Sequence, residues 1–294
     1  MTDPYYQLLE ATIQHLEGLK RRGERCVSVS PELLSALSRP AVVPAISTAP
    51  AAPVRPRTEI PAPARLMPSN QPGAVRSEVA PVLNDQAKAA AFDDLRRRAL
   101  ACVKCPHLVA ARKNVVFGTG SIDAELMFVG EAPGVDEDEQ GEPFVGKAGQ
   151  LLTKIIQTMG LSRNTVYIGN ILKCRPDTPG QTAGNRKPTP EEMQTCIPFL
   201  HEQIDLIQPK VLVALGATAV EGLLGKTVGI TKLRGHWQTY RGIPLMPTYH
   251  PAYLLRNQAL SEKRRVWEDM LQVMEKLGLP ISERQRNYFL KAAV

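Results

Sequence analysis

The sequence predicts an α/β fold with three layers, α/β/α, around a central, mainly parallel sheet of four strands. From about residue 87 onward, short apolar runs of strand length alternate with longer segments in which apolar residues recur at helical spacing. Strands separated by helix-sized segments lie parallel in one sheet, with helices on both faces. The 294 residues allow one large domain or two small ones, and an apolar fraction of 43% is sufficient for a core.

The N-terminal third is predicted to lie outside this fold. Apolar residues at helical spacing in residues 4–22 predict a short amphipathic helix within an N-terminal segment, residues 1–37. Residues 38–86 are predicted to be a disordered linker, because ten prolines lie between Arg39 and Val82 and aromatic residues are absent there. The N-terminal helix is either a docking element for an unknown protein partner or an extension without a function.

Residues 87–294 are predicted to form the folded domain, which begins with a helix over residues 88–101. Apolar runs predict four strands: Ala124–Gly130, Val166–Asn170, Val211–Leu215 and Pro244–Thr248. Helical spacing and capping signals predict the other helices: Val145–Met159, Pro190–Ile207, a short helix after Gly216, and a last helix from Ser261 to Lys276. Ligands of such sheets bind beyond the carboxyl ends of the strands. A site is therefore expected just after Val129, Ile168, Leu215 and Met246.

The charge of the chain favours a polyanionic partner. The net charge is +7, and the first 85 residues contribute only +1, so most of the excess falls on the predicted domain. A basic domain suits nucleic acid, and ordinary solubilising charge is the alternative. No apolar stretch reaches the roughly 20 residues that a bilayer requires. The N-terminus also lacks a signal-peptide pattern, which predicts a cytoplasmic protein without membrane association.

Four of the five cysteines could form one metal centre. Cys102 and Cys105 form a C-x-x-C pair, Cys174 follows the second strand, and Cys196 lies in the first turns of a helix. Four thiolates suit tetrahedral zinc or an iron–sulfur cluster, and the spacing does not choose between them. Four unligated thiols are the third alternative. Cys26, before the linker, is expected to be a free thiol.

An acidic segment follows the first strand. Glu131 lies in a glycine-bracketed turn, and the acidic run 136–139 leads on to Phe144. The run is either a solvated loop or part of a site in which carboxylates stabilise developing positive charge beside a stacked planar ring. A divalent-metal site is the competing interpretation of the carboxylates.

The stretch from Leu95 to Leu277 resembles the family 4 uracil-DNA glycosylases, the iron–sulfur-containing branch of the uracil-DNA glycosylase superfamily. Residues 177–184 depart from the family pattern as a short insertion. Five segments in the family's order carry the resemblance: C-V-K-C-P, G-E-A-P-G-V-D-E-D-E-Q-G-E-P-F-V-G-K-A-G-Q-L-L, Y-I-G-N-I-L-K-C-R-P, N-R-K-P-T-P-E-E-M-Q-T-C and P-T-Y-H-P-A-Y-L-L-R.

The resemblance implies a monofunctional enzyme that flips uracil out of DNA and hydrolyses its N-glycosidic bond, which initiates base excision repair. It implies that His250 donates to uracil O2 and stabilises the departing anion. It implies that Asn170 pairs with the uracil edge, a bidentate readout that cytosine would reverse. Phe144 is expected to stack on the uracil face.

Further roles follow from the same resemblance. Glu131 lies in the water-activating motif, and Glu137 would close the pocket beside C5 and exclude the methyl group of thymine. Leu254, Leu255 and Arg256 match the loop that fills the vacated base stack. The expected phosphate contacts are Lys104, Lys173, Arg175 and Arg256.

The resemblance also implies a cofactor, a structural [4Fe-4S] cluster, with no divalent metal needed for catalysis. The expected ligands are Cys102, Cys105, Cys174 and Cys196. The expected partner is uracil-containing DNA, and the protein is expected to be a monomer. Two alternatives stay open. One is a non-catalytic, metal-stabilised DNA-binding protein whose uracil pocket has been lost, and the other is a zinc-bound version of the same enzyme.

Overall fold

A computed structural model describes residues 85–177, 186–225 and 228–290. The predicted N-terminal helix and the predicted linker lie outside the described residues, as does nearly all of the insertion at 177–184. Within the described residues, no helix has the length and apolar character required to cross a membrane.

In the part of the chain that the structure describes, six strands form one sheet in the order β1-β3-β2-β4-β6-β5. The central four, β3, β2, β4 and β6, are parallel, as the sequence predicts. The edge strands β1 and β5 are antiparallel to their neighbours and were not predicted, because they are only two and three residues long. The strands are β1 (Thr119–Gly120), β2 (Leu126–Gly130), β3 (Tyr167–Asn170), β4 (Val211–Leu215), β5 (Gln238–Tyr240) and β6 (Ile243–Thr248).

Helices precede, connect and follow these strands. Within the described residues they are α1 (Asp85–Leu100), α2 (Pro106–Ala111), α3 (Val135–Gln140), α4 (Lys147–Thr158), α5 (Pro190–Ile207), α6 (Ala217–Leu224), α7 (Ile230–Leu233), α8 (Pro251–Arg256), α9 (Leu260–Lys276) and α10 (Glu283–Arg286).

The acidic run forms the short helix α3 and not a solvated loop. The carboxylate of Glu137 accepts a hydrogen bond from the N–H of Gly134 at 3.0 Å, which satisfies an otherwise free donor at the helix start. Acidic residues in the first turn also suit the helix dipole. The helix ends at Gly141, whose φ of 72° is left-handed.

The sheet separates two apolar clusters, which confirms the three-layer architecture. On one face, Met127 and Val129 pack with residues of α1, α5 and α6. On the other face, Leu126 and Phe128 pack with residues of α4 and α9. Alternate residues of β2 therefore point to opposite faces, and both faces are buried, as is typical of a parallel sheet covered by helices.

The register brings the carboxyl ends of the parallel strands to one edge. Gly130 at the end of β2 pairs with Asn170 at the end of β3. Leu215 at the end of β4 pairs with Thr248 at the end of β6. His250 follows β6 by two residues and begins α8. Residues that are far apart in the sequence thus reach the same edge of the sheet.

Candidate functional site

Gly130, Phe144 and Asn170 converge at this edge. A methyl group added at Gly130 would lie 2.3 Å from Asn170 Oδ1 and 2.5 Å from Phe144 Cζ. The absence of a side chain at position 130 is therefore what allows the carboxamide and the ring to approach each other. Gly130 was not singled out from the sequence as a site residue, although its position at a strand end pointed to it.

The carboxamide of Asn170 is buried with an unused acceptor. The residue is 2% exposed, and Oδ1 has no hydrogen-bond partner among the described residues. A buried polar atom without a partner costs free energy, about 1–3 kcal/mol. A donor group of a bound ligand could satisfy this oxygen.

The ring of Phe144 links the carboxamide to the imidazole. Its centroid lies 5.6 Å from that of His250, with 31° between the ring planes. The backbone of Phe144 has a φ of 55°, a conformation that aromatic residues rarely adopt. Two contacts hold it there: Gly149 packs directly against its carbonyl group, and Arg163 Nη1 donates to that carbonyl oxygen at 3.0 Å. No sequence signal identified Arg163.

His250 is a neutral imidazole with a defined tautomer. Its Nδ1 accepts a hydrogen bond from the N–H of Ala252 at 3.1 Å, so the ring proton lies on Nε2. Burial, and secondarily the charge of Arg256, lowers the pKa of His250 to about 4. At neutral pH the side chain therefore offers one N–H donor and carries no charge.

The two acidic candidates occupy different surroundings. Glu131 follows β2, is partly exposed, and makes no side-chain hydrogen bond within the described part of the chain. Glu137 has both oxygens engaged by backbone N–H groups: Oε2 by Gly134, and Oε1 by Val145 and Gly146, at 3.0 and 3.1 Å. Glu137 therefore ties α3 to the segment that follows Phe144. Its predicted place beside C5 of the base stays a prediction.

The predicted wedge loop is divided between core and surface. Leu254 is 5% exposed and packs with Tyr249 and Val266, so it is a core residue and its assignment as a wedge was wrong. Leu255 is 38% exposed, and Arg256 beside it is also exposed. These two residues end α8, and the sequence alone did not show which of the two leucines faces outward.

The four cysteines lie at one end of the fold. Cys102 follows α1, Cys105 precedes α2, Cys174 follows β3 and Cys196 lies in α5. Burial raises the pKa of the Cys174 thiol, and the charge of Cys102 raises it further. Burial likewise raises the pKa of Cys196 to about 11, with contributions from Cys174 and Cys102 in the same direction. Such mutual effects require the sulfurs to be near one another.

Basic and acidic groups surround these sulfurs. Arg112 Nη1 donates to Cys174 Sγ at 3.0 Å, and the backbone N–H of Lys173 donates to Cys196 Sγ at 3.2 Å. Glu192 is buried and accepts from both Arg186 and Thr189, which braces the start of α5. Hydrogen bonds to sulfur are expected where thiolates carry negative charge.

One predicted phosphate contact was wrong. Lys173 is 2% exposed, and its Nζ donates to Asn170 O at 3.0 Å and to Gln203 Oε1 at 2.6 Å. It therefore cannot reach a nucleic-acid backbone. Burial lowers the pKa of Lys173 to about 8. Lys104 is exposed and Arg175 is partly exposed.

Comparisons with known proteins match this region. The family described as Uracil DNA glycosylase superfamily matches residues 117–271. The type-4 uracil-DNA glycosylase of Thermotoga maritima is 48% identical over 177 residues, which cover 59% of this chain and 88% of the relative. The type-4 enzyme of Sulfurisphaera tokodaii is 38% identical, covering 68% of this chain and 90% of the relative. That of Archaeoglobus fulgidus is 40% identical, covering 58% and 87%.

Proposed function

The chain belongs to the uracil DNA glycosylase superfamily, and from that premise we propose how its own residues carry out the reaction. The type-4 relatives are named for removing uracil from DNA. The protein is accordingly a uracil-DNA glycosylase, a DNA-repair enzyme that hydrolyses the N-glycosyl bond of deoxyuridine in DNA. The uracil must first leave the base stack to reach the edge of the sheet.

The observation that carries the proposal is the unpaired Asn170 Oδ1. Uracil presents an N3–H donor beside an O4 acceptor. The carboxamide can accept from N3–H and donate to O4, which satisfies the buried oxygen. Cytosine presents the opposite pattern at these positions, so its binding would leave buried groups unpaired. Phe144, which lies beside the carboxamide, supplies an apolar face against which the ring stacks.

His250 stabilises the leaving group. As the bond between N1 and C1′ breaks, its electron pair moves into the base and negative charge develops on O2. A neutral Nε2–H directed at O2 stabilises that charge, and the hydrogen bond from Ala252 to Nδ1 keeps the proton on Nε2. The low pKa matters, because an imidazole that is neutral throughout the neutral range always presents the same donor.

Glu131 acts on the sugar side. Its carboxylate orients a water molecule, whose oxygen bonds to C1′, and it stabilises the positive charge that develops on the sugar. The proton of that water passes to the carboxylate, and the base leaves as an anion. Glu131 suits this task because its side chain has no other hydrogen-bond partner within the described residues.

The four cysteines would hold a [4Fe-4S] cluster with a structural role. Their mutual proximity and the N–H donors directed at Cys174 and Cys196 fit such a group. Within the described residues, no three His, Cys, Asp or Glu side chains are grouped so as to hold a single metal ion. The hydrolysis itself transfers no electron.

DNA binds across the edge that carries Leu255 and Arg256. The exposed leucine fills the stack that the uracil vacates, and the guanidinium contacts phosphate. The net charge of +7 adds a nonspecific attraction to the DNA backbone.

Base release tests the proposal. Full-length protein and a duplex with one U·G pair are incubated in EDTA and then treated with alkali, which cleaves abasic sites. We expect strand cleavage by the wild type and a loss of at least about 100-fold in single-turnover rate for Asn170→Ala and His250→Ala. The exposed residues Asn287 and His236 provide matched controls, Asn287→Ala and His236→Ala. Intact DNA at stoichiometric enzyme, or wild-type rates in the two site variants, would contradict the assignment.

A further inference from the structure

We infer that Lys173 is a positioning residue for uracil recognition: its buried ammonium holds the backbone of Asn170 so that the carboxamide stays directed into the pocket. The inference rests on the proposed role of Asn170. It assigns to Lys173 a task within the protein, in place of the phosphate contact that its residue type suggests.

The contacts of Lys173 join the base-reading residue to helix α5. Nζ donates to Asn170 O at 3.0 Å and to Gln203 Oε1 at 2.6 Å. Gln203 is fully buried and is itself fixed, because its Nε2 donates to Phe117 O at 2.9 Å and to the hydroxyl of Tyr167 at 2.8 Å. The ammonium therefore has a rigid anchor on the side away from the pocket.

The cost of burying this charge indicates that packing alone does not account for it. The oxygen atoms that accept from Nζ are a carbonyl and an amide, and no carboxylate contacts Nζ within the described residues. The hydrogen-bond acceptors of the ammonium are neutral oxygens, and the sulfur of Cys196 is a nearby group whose charge favours it. A methionine would fill the same space without a buried charge, but it could not hold the carbonyl of Asn170.

Asn170 needs such a hold because it ends a strand. The carbonyl of the opposite residue, Gly130, is bonded by the N–H of Ile171 at 3.0 Å, which fixes one side of the segment. The carbonyl of Asn170 is bonded by Lys173. With both constraints in place, the side chain can keep Oδ1 unpaired and ready for a ligand. Without the second constraint, a single hydrogen bond orients this peptide, and the carboxamide can shift from the position that reads the base.

A double-mutant cycle distinguishes positioning of Asn170 from general stabilisation. The rates of Lys173→Met, Asn170→Ala and the double variant are measured by single turnover on U·G DNA. A displacement of about 1 Å at a reacting group can cost about 100-fold, and we expect a loss of at least about tenfold for Lys173→Met alone. In the Asn170→Ala background the same change should cost less than about twofold, because the group it positions is already gone.

The matched control is Tyr167→Phe, which removes a hydroxyl from the same buried network but leaves Gln203 bonded to Phe117 O and Lys173 bonded to Asn170. It should retain the wild-type rate within about twofold. If Lys173→Met is insoluble, Gln203→Met removes the anchor of the ammonium and enters the same cycle, with the same expected coupling.

Equal losses in the two backgrounds would overturn the inference, since Lys173 would then not act through Asn170. A wild-type rate in folded Lys173→Met would also overturn it, because a loss of thermal stability like that of Tyr167→Phe would then be the whole effect of the substitution. A wild-type rate in Asn170→Ala is a different result, because it removes the proposed function itself. The cycle thus separates the failure of the inference from the failure of the assignment.

Discussion

Gly130→Ala should close the uracil pocket while leaving the fold intact. The new methyl carbon would lie 2.3 Å from Asn170 Oδ1, and 2.5 and 2.7 Å from Phe144 Cζ and Cε2. Carbon atoms in good contact are about 3.5–4.0 Å apart, so both groups must move by about 1 Å. Either displacement moves a group that the proposed site uses to hold the base. The backbone of Gly130 itself does not require glycine, since its φ is not among the positive values.

The magnitude follows from that displacement. A shift of about 1 Å in a group that recognises the reacting base costs about 100-fold in rate. We therefore expect a loss of about 100-fold in single-turnover base release. The thermal midpoint should fall by only a few degrees, because overpacking of this kind costs about 1–3 kcal/mol. Base release on U·G DNA and thermal unfolding followed by circular dichroism measure the two quantities.

Gly169→Ala provides the matched control. Gly169 is the residue before Asn170, and a methyl group there would meet its nearest neighbours at 3.7–3.8 Å, which is ordinary contact. This variant should keep a rate close to that of the wild type. The reasoning would be refuted if Gly130→Ala kept the wild-type rate, or if both variants lost activity equally.

Three further outcomes are expected. The pKa of His250 is lowered from 6.5 to about 4, so the pH profile of kcat/KM should show no inflection near pH 6.5 due to this residue. An inflection near pH 6.5 that disappears in His250→Gln would contradict a neutral imidazole. Leu255→Ala should slow base release from U·A duplexes several-fold but should not slow release from single strands. The control Leu290→Ala, at another exposed leucine, should change neither rate. Equal slowing of Leu255→Ala on both substrates would argue against a wedge. Cys174→Ser should lose the broad absorption near 400 nm of anaerobically purified protein and much of its soluble yield, and an unchanged spectrum would exclude that cysteine as a cluster ligand.

The four parallel strands could be predicted because each is a compact apolar run next to a helix-sized segment. The edge strands could not, since Thr119–Gly120 and Gln238–Tyr240 are too short to show a periodicity. The acidic run was expected to be a solvated loop or a ligand site. Its helical form depends on one carboxylate, that of Glu137, returning to backbone N–H groups, and composition does not reveal such a contact.

The position of the site was predictable, but the environment of individual side chains was not. Strand ends predicted the region that holds Asn170 and His250, because the register of a parallel sheet gathers its carboxyl ends. Leu254 and Leu255 are identical in sequence terms, and only the rotation of α8 against the core decides which one is buried. Lys173 was expected to contact phosphate, and lysine is almost never fully buried, yet the protein buries it.

The left-handed backbone at Phe144 lowers the stability of the fold in favour of the site. A side chain with a φ of 55° is held at a cost of about 1–3 kcal/mol, and glycine at that position would relieve it. Stability alone would therefore favour glycine at this position. The strained backbone is what places a flat aromatic ring beside Asn170 and His250.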